Sequence, residues 1–474
     1  MTFRISGLKK LRPGQADVLL LALALSGCGS MAPTLERPAA PVAATFPGKT
    51  GAAPDAAPAW AIEWQKFFVD ERLKRLIALA LENNRDLRLA VLNIEQARAQ
   101  FDIRRADQWP GVNAGLNGLR QPTSAGGMSS TYSAGVLVTS YELDLFGRVR
   151  SLADAALAQY LASEEARKAV QISLVAAVAN AYLTLLGDEE QLRVTQQTLD
   201  TREASYRLIK LRFDNGASSQ VDLRQAESLL ESARAALTVA TRQRALDENA
   251  LVLLIGQPLP QDLPQGLAIA AAATLPELPV GLPSEVLVRR PDVRQAEQQL
   301  IAANASIGAA RAAFFPKITL TGSVGSVSSE LSGLFSNGMA WSFAPQLLQP
   351  IFDAGRNDAN LRLSEVNRDI AVAQYERAIQ SAFREVADAL AGRATLGEQL
   401  RTLQALVRVE QDRYRLADLR YRNGASSYLD VLDTQRSLFT AQLTQLQTQT
   451  QYSQNLVALY RVLGGGWTAD RGAP

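Results

Sequence analysis

The stretch Asn215-Gly216-Ala217-Ser218-Ser219 recurs letter for letter as Asn423-Gly424-Ala425-Ser426-Ser427, at 423 against 215. An aspartate follows each copy at the same distance, Asp222 and Asp430. Ahead of each copy, apolar or aromatic residues stand at every seventh position: Leu185, Leu192, Leu199, Tyr206 and Phe213, then Leu400, Val407, Tyr414 and Tyr421. Sustained heptads predict a coiled-coil seam. Asn and Gly accept positive φ and end such a helix, and Ser218 or Ser219 is placed to cap the helix that returns. The same tip in the same context twice predicts two copies of one long helical hairpin.

The landmarks around the tips keep this order. Phe315-Pro316 answers Trp109-Pro110, Gly355 answers Gly147 and Gly464 answers Gly256. Repeat 1 is assigned to about 61–270 and repeat 2 to 271–474, joined across a Pro- and Ala-rich linker at 256–283, with Gly281-Leu282-Pro283-Ser284 opening the second copy. Within the first copy, apolar residues at helical spacing run from Arg72 to Ala106, and Trp109-Pro110-Gly111 stops them. The period then becomes two: Val112, Ala114 and Leu116 alternate with Asn113, Gly115 and Asn117. Strands are expected at about 111–141 and, in the second copy, 316–348. Each run is about ten residues, the length of a membrane-spanning strand. No proline interrupts 149–213, a helix of roughly 100 Å at ~1.5 Å per residue. The short helix before the strands and the return helix after the tip are expected to stack end to end beside it.

The N-terminus is read as processed. Arg4, Lys9, Lys10 and Arg12 precede the apolar run 18–25 and Leu25-Ser26-Gly27-Cys28, so residues 1–27 form a signal peptide and Cys28 is the expected lipidation site. Several acyl chains there would anchor the chain stably. Residues 28–60, rich in Pro, Ala and Gly, are expected to form an extended tether with no core of its own.

Composition removes whole classes of function. The chain has no histidine and one cysteine, which leaves no disulfide framework, no Cys/His metal cluster and no histidine base. Lys+Arg 49 against Asp+Glu 47 gives no basic excess for nucleic acid. No enzyme, cofactor or metal site is expected. No segment reads as an apolar membrane-spanning helix.

The expected architecture is mainly α with a β membrane segment. Four strands per chain cannot close a barrel, and open edges cannot sit in lipid, where unpaired backbone groups cost several kcal/mol each. Three chains give a twelve-strand β-barrel, continued by the coiled-coil hairpins as a long α-barrel: a conduit across periplasm and outer membrane. A coiled-coil structural lipoprotein is the alternative from another class, which the strand-length runs argue against.

Together, Leu25-Ser26-Gly27-Cys28, Tyr141-Glu142-Leu143-Asp144-Leu145-Phe146-Gly147, Arg289-Arg290-Pro291-Asp292, Pro350-Ile351-Phe352-Asp353-Ala354-Gly355-Arg356 and Leu429-Asp430-Val431-Leu432-Asp433 resemble the TolC-like outer-membrane factor family, in its lipoprotein branch. The resemblance implies a homotrimer with twelve strands and twelve helices, lipid-anchored in the outer membrane and projecting into the periplasm. It also implies an adaptor protein and, through it, an inner-membrane pump of the resistance-nodulation-division type. Drug efflux and type I protein secretion both use this fold, and the residues do not separate them. The resemblance places a periplasmic gate at Asp430 and Asp433, whose helix face Arg436 continues, with Asp222 bonded to Tyr421 as a catch. An arginine of that catch in the family falls on Ser426, and Arg420 or Arg422 is the candidate to replace it. The tips, Asn215 to Ser219 and Asn423 to Ser427, are the candidate adaptor-docking surface, their small side chains permitting close approach. In Arg289-Arg290-Pro291-Asp292 the aspartate is expected as a helix N-cap and the arginines as partners of helix ends.

Overall fold

A computed structural model describes residues 30–47, 59–124, 126–272, 278, 288–336 and 338–467. The signal peptide, Cys28 and Gly281-Leu282-Pro283-Ser284 lie outside the described residues. The main elements are α1 (Glu71–Asn83), α2 (Arg85–Ala106), β1 (Val112–Pro122), β2 (Met128–Glu142), α3 (Arg148–Asp214), α4 (Gln220–Ile255), α5 (Pro291–Ala312), β3 (Lys317–Ser328), β4 (Met339–Leu348), α6 (Arg356–Arg422) and α7 (Tyr428–Val462). Both α3 and α6 are 67 residues long. The chain divides into two units: Met1–Ala40 with Asn93–Glu164 and Gln295–Arg377, and Pro41–Leu92 with Glu165–Arg294 and Ala378–Pro474.

The first unit carries one antiparallel sheet in the order β1-β2-β3-β4, so the two predicted hairpins pair with each other through β2 and β3. In that seam Gly135 faces Gly325, and a side chain on either would strike the backbone opposite. Along β4, Met339, Trp341, Phe343 and Leu347 share one face and are 62–80% exposed. The strand-to-helix corner explains the Tyr141–Arg148 motif. Arg148 donates to both carboxylate oxygens of Glu142 at 2.7 and 2.6 Å, Lys317 reaches the same group at 3.0 Å, and Asp144 accepts from the Arg150 amide.

Residues 30–40 are not a free tether. The Asn304 side chain, on α5, donates to the Pro33 carbonyl at 2.7 Å, and Arg37 pairs with Glu297 at 2.6 Å. Backbone carbonyls of an extended segment are strong acceptors, and helix α5 supplies their donors. In the second unit Phe46 is 4% exposed and stacks on Phe383 at 5.0 Å. Residues 30–47 form no helix or strand and, rather than hanging free, lie against α5 and α6.

The core of the second unit gathers Phe67, Leu76, Ile77, Val178, Tyr182, Leu185, Leu251, Ile255 and Tyr460. The single helix expected from Arg72 to Ala106 is two, because Asn84 is extended: its side chain accepts from the Leu87 amide at 2.9 Å and donates to the Leu254 carbonyl at 2.8 Å. That second bond brings the C-terminal end of α4 against the α1–α2 break, the end-to-end arrangement that the lengths suggested. The inter-repeat segment also packs, with Ile269, Ala272 and Leu278 buried. Its Leu267 amide donates to Asp70 at 2.9 Å, and Tyr182 donates to the same carboxyl oxygen at 2.8 Å.

Two sequence expectations need correction. α3 contains a stretch long and apolar enough to cross a membrane, counter to the reading that none exists. Its residues 174–179, 182, 183, 185 and 186 lie mostly in the buried core, so their apolar character serves packing. α5 starts at Pro291, a residue suited to the first helical position, so Asp292 lies inside the helix. Its carboxylate binds Arg290, which is 6% exposed and also holds Glu385 at 2.9 Å and the Val462 carbonyl, the end of α7, at 3.1 Å. The arginine does pair with a helix end, as expected.

Candidate functional site: the hairpin tips

The two tips are built alike. Asn215 and Asn423 each bond the carbonyl four residues back through both backbone and side chain, and Gly216 and Gly424 both sit at φ 71. Ala217 and Ala425 close the turns onto the Arg212 and Arg420 carbonyls at 2.7 and 2.8 Å. A residue other than glycine at this φ is strained, which accounts for the Asn-Gly pair.

The aspartates that follow begin the return helices. The Asp222 amide donates to the Ser219 hydroxyl at 3.0 Å, and the Asp222 carboxylate accepts from the Ser219 amide at 3.2 Å, a capping box. Ser218 and Ser219 hydroxyls reach the same carboxylate at 3.2 and 2.8 Å. Asp430 does the equivalent, accepting from the Ser427 amide at 3.3 Å. The carboxylate of Asp222 is thus committed to its own helix, and Tyr421 is not among its partners.

Tyr421 is held differently. The Arg212 guanidinium lies 4.8 Å from its ring centre, and Tyr428 packs against it at 5.3 Å. Tyr421, with Tyr414 and Ala417 of α6, packs against a small core of Ile209 from α3, Ala226 from α4, and Tyr428, Val431 and Leu432 from α7. Burial pushes the Tyr428 phenol up to about 12. Arg420 reaches only its own tip, at the Ala425 carbonyl, and Arg422 pairs with Asp418 at 2.8 Å, so neither stands at Tyr421. The Ser426 hydroxyl oxygen is buried without a partner.

Asp433 bridges two arginines, Arg413 of α6 at 3.1 Å and Arg436 at 3.3 Å, with its own side chain about half exposed. Asp430 and Asp433 also line an open groove of about 830 Å³ with Arg413, Arg420, Leu416 and Leu429. Deeper between the hairpins, Arg202 is 6% exposed, donates to the Leu229 carbonyl and lies 5.4 Å from the Phe439 ring. Burial, with Arg436 nearby, lowers its pKa. Arg212, Arg202, Arg413 and Tyr428 escaped the sequence reading. One signal was available: Tyr428 stands where the first copy has Gln220, a departure from an otherwise matched turn.

Four strands with an exposed apolar face and two 67-residue helices ending in matched tips define a channel protein of the outer-membrane, TolC-like class. A family model described as "Outer membrane efflux protein" matches residues 76–257 and again 282–465. The chain is 49% identical to outer membrane protein OprJ of Pseudomonas aeruginosa over 472 residues, covering 96% of each. It is 46% identical to the toluene efflux pump outer membrane protein TtgC of Pseudomonas putida, again covering 96% of each. Among solved structures it matches the open state of the Neisseria gonorrhoeae MtrE outer membrane channel at TM-score 0.86 and 43% identity, covering 94% of this chain and 100% of that one. The chain belongs to the outer membrane efflux protein family and acts in the outer membrane.

Proposed function

We propose that three copies form a twelve-strand barrel continued by twelve helices, and that this tube is the exit duct of a tripartite efflux pump for small toxic compounds. The observation that carries the reading is the sheet: β1 and β4 are its two edges, and β4 presents a row of exposed apolar side chains. Lipid accepts the apolar row but not the edges, so neighbouring copies must pair them. The helices support the same closure. α4 exposes Val239, Leu246 and Leu253 at heptad spacing, and α6 exposes Val409 and Leu416. Among the described residues these seams have no mate, and a head-to-tail contact that closes makes a ring.

The other assignments belong to this reading. Cys28 carries the lipid anchor. The small-residue tips, Gly216 to Ser219 and Gly424 to Ser427, meet a periplasmic adaptor, through which an inner-membrane pump of the resistance-nodulation-division type engages the duct. Asp430, Asp433 and Arg436 ring the periplasmic mouth. The catch is the contact through Tyr421, which joins the hairpins, while Asp222 fixes the start of its own helix. Reconstituted protein should show discrete, cation-preferring conductance in planar bilayers and a three-chain mass by native mass spectrometry. A single-chain mass or electrically silent bilayers would overturn the reading. Palmitate labelling that persists in Cys28→Ala would separately remove the anchor.

A further inference from the structure

Residues 208 positions apart occupy matching places in the two hairpins, as 215 and 423 do. A contact from the first hairpin to the second therefore has a counterpart running from the second hairpin onward, and its mate cannot be in the same chain. At the tips the contact within the chain is Arg212 against the ring of Tyr421. Position 420 matches 212 and is again arginine; position 213 matches 421 and is phenylalanine. Both halves of the counterpart keep the chemistry, a guanidinium and an aromatic face. Arg420 is exposed, its guanidinium bonding among the described residues only the Ala425 carbonyl of its own turn, and Phe213 is 36% exposed.

Such preservation is not automatic. The deeper contact, Arg202 against Phe439, has Glu410 and Glu231 at its matching positions, two acids that pair with Arg413 and Arg234 of their own chain. That rung cannot be repeated between subunits, because like charges facing each other repel. The tip rung can.

We propose that Arg420 stacks on Phe213 of the partner subunit, so that cation–aromatic rungs hold the periplasmic mouth alternately within and between subunits. The proposal rests on the trimer reading above. It makes the second hairpin a two-sided element, with Tyr421 receiving an arginine from its own chain and Arg420 reaching the next. Each rung of this kind shifts a closing equilibrium roughly two- to fivefold at a partly exposed site, and three acting together shift it roughly ten- to a hundredfold.

The test is a Phe213→Cys/Arg420→Cys double variant, treated in the outer membrane with a short bismaleimide and run under denaturing conditions. Bridged two- and three-chain species are expected, with none in either single variant. Trimers that are intact by native mass spectrometry yet bridge only within a chain, or not at all, overturn the proposal and leave the trimer standing. A single-chain mass overturns the trimer instead. In bilayers, Arg420→Met and Phe213→Leu should each raise the open fraction by the stated factor, and Phe213→Tyr should not. An unchanged open fraction in both overturns the rung as a holding contact.

Discussion

On the gate proposed above, Arg212→Met separates two ways of holding the mouth closed. It keeps a long unbranched side chain on α3 and removes the charge facing Tyr421. The guanidinium is 4.8 Å from the ring centre, and both residues are partly exposed, which places the contact near ~1 kcal/mol, between the exposed and desolvated ranges. If the three copies open together, the loss is about 3 kcal/mol, a shift in the open-to-closed ratio of roughly two orders of magnitude at 1.4 kcal/mol per tenfold. If each opens alone, the shift is about fivefold. Asp222→Asn is the contrast. That carboxylate caps its own helix, so its loss costs roughly 1 kcal/mol of local helix stability and leaves the contact to Tyr421 in place. Single-channel recordings at moderate salt should show a raised open probability for Arg212→Met and for Tyr421→Leu, no further rise in the double variant, and a near-native value for Asp222→Asn. Opening by Asp222→Asn with no response to Arg212→Met would refute the assignment of the catch to the cation–aromatic stack.

Three more outcomes follow from the geometry. Asp433→Asn should lower cation selectivity with little change in heat stability, because its two ion pairs are about half exposed and such pairs contribute ~1 kcal/mol or less; reversal potentials under a salt gradient check this. Asp70→Ala should destabilise by about 3–5 kcal/mol, since it removes a helix cap and strands the buried Tyr182 hydroxyl and the Leu267 amide, whereas Tyr182→Phe should cost about 1–2; melting of the purified protein reads the difference. Asp188 is pushed up to about 7 by burial and by the neighbouring Asp247 carboxyl, against Arg244. A carboxyl whose folded pKa is raised contributes stability that is present below pH ~4 and lost as pH rises through about 7, so the melting temperature should fall across that window and Asp188→Asn should flatten the fall.

What could be read from the chain was local. The Asn-Gly turns, the period-two strands and the 67-residue helices follow from residues that are neighbours in sequence, so both copies announced them. The break at Asn84 was legible in principle, as an Asn three residues before a buried Leu87, but helical periodicity on both sides masked it. Contacts set by which helix faces which were not legible. Asp70 meets Tyr182 across 112 residues, and nothing near either one announces the other. Arg212 and Tyr421 belong to the same kind, and the repeat alone makes their counterpart at 420 and 213 readable. The tip aspartates show why the distinction matters for function. Ser-x-x-Asp is a capping pattern, and at both tips the carboxylate turns back to the helix start. An alanine at Asp430 therefore changes helix stability and mouth charge at once, and a rise in conductance there cannot be assigned to either. Asp433, three residues on and free of the cap, changes the charge and, with it, two half-exposed ion pairs worth ~1 kcal/mol or less each, but leaves the helix start intact. The two positions, substituted separately, divide electrostatics from architecture at the proposed mouth, where one sequence motif carries both.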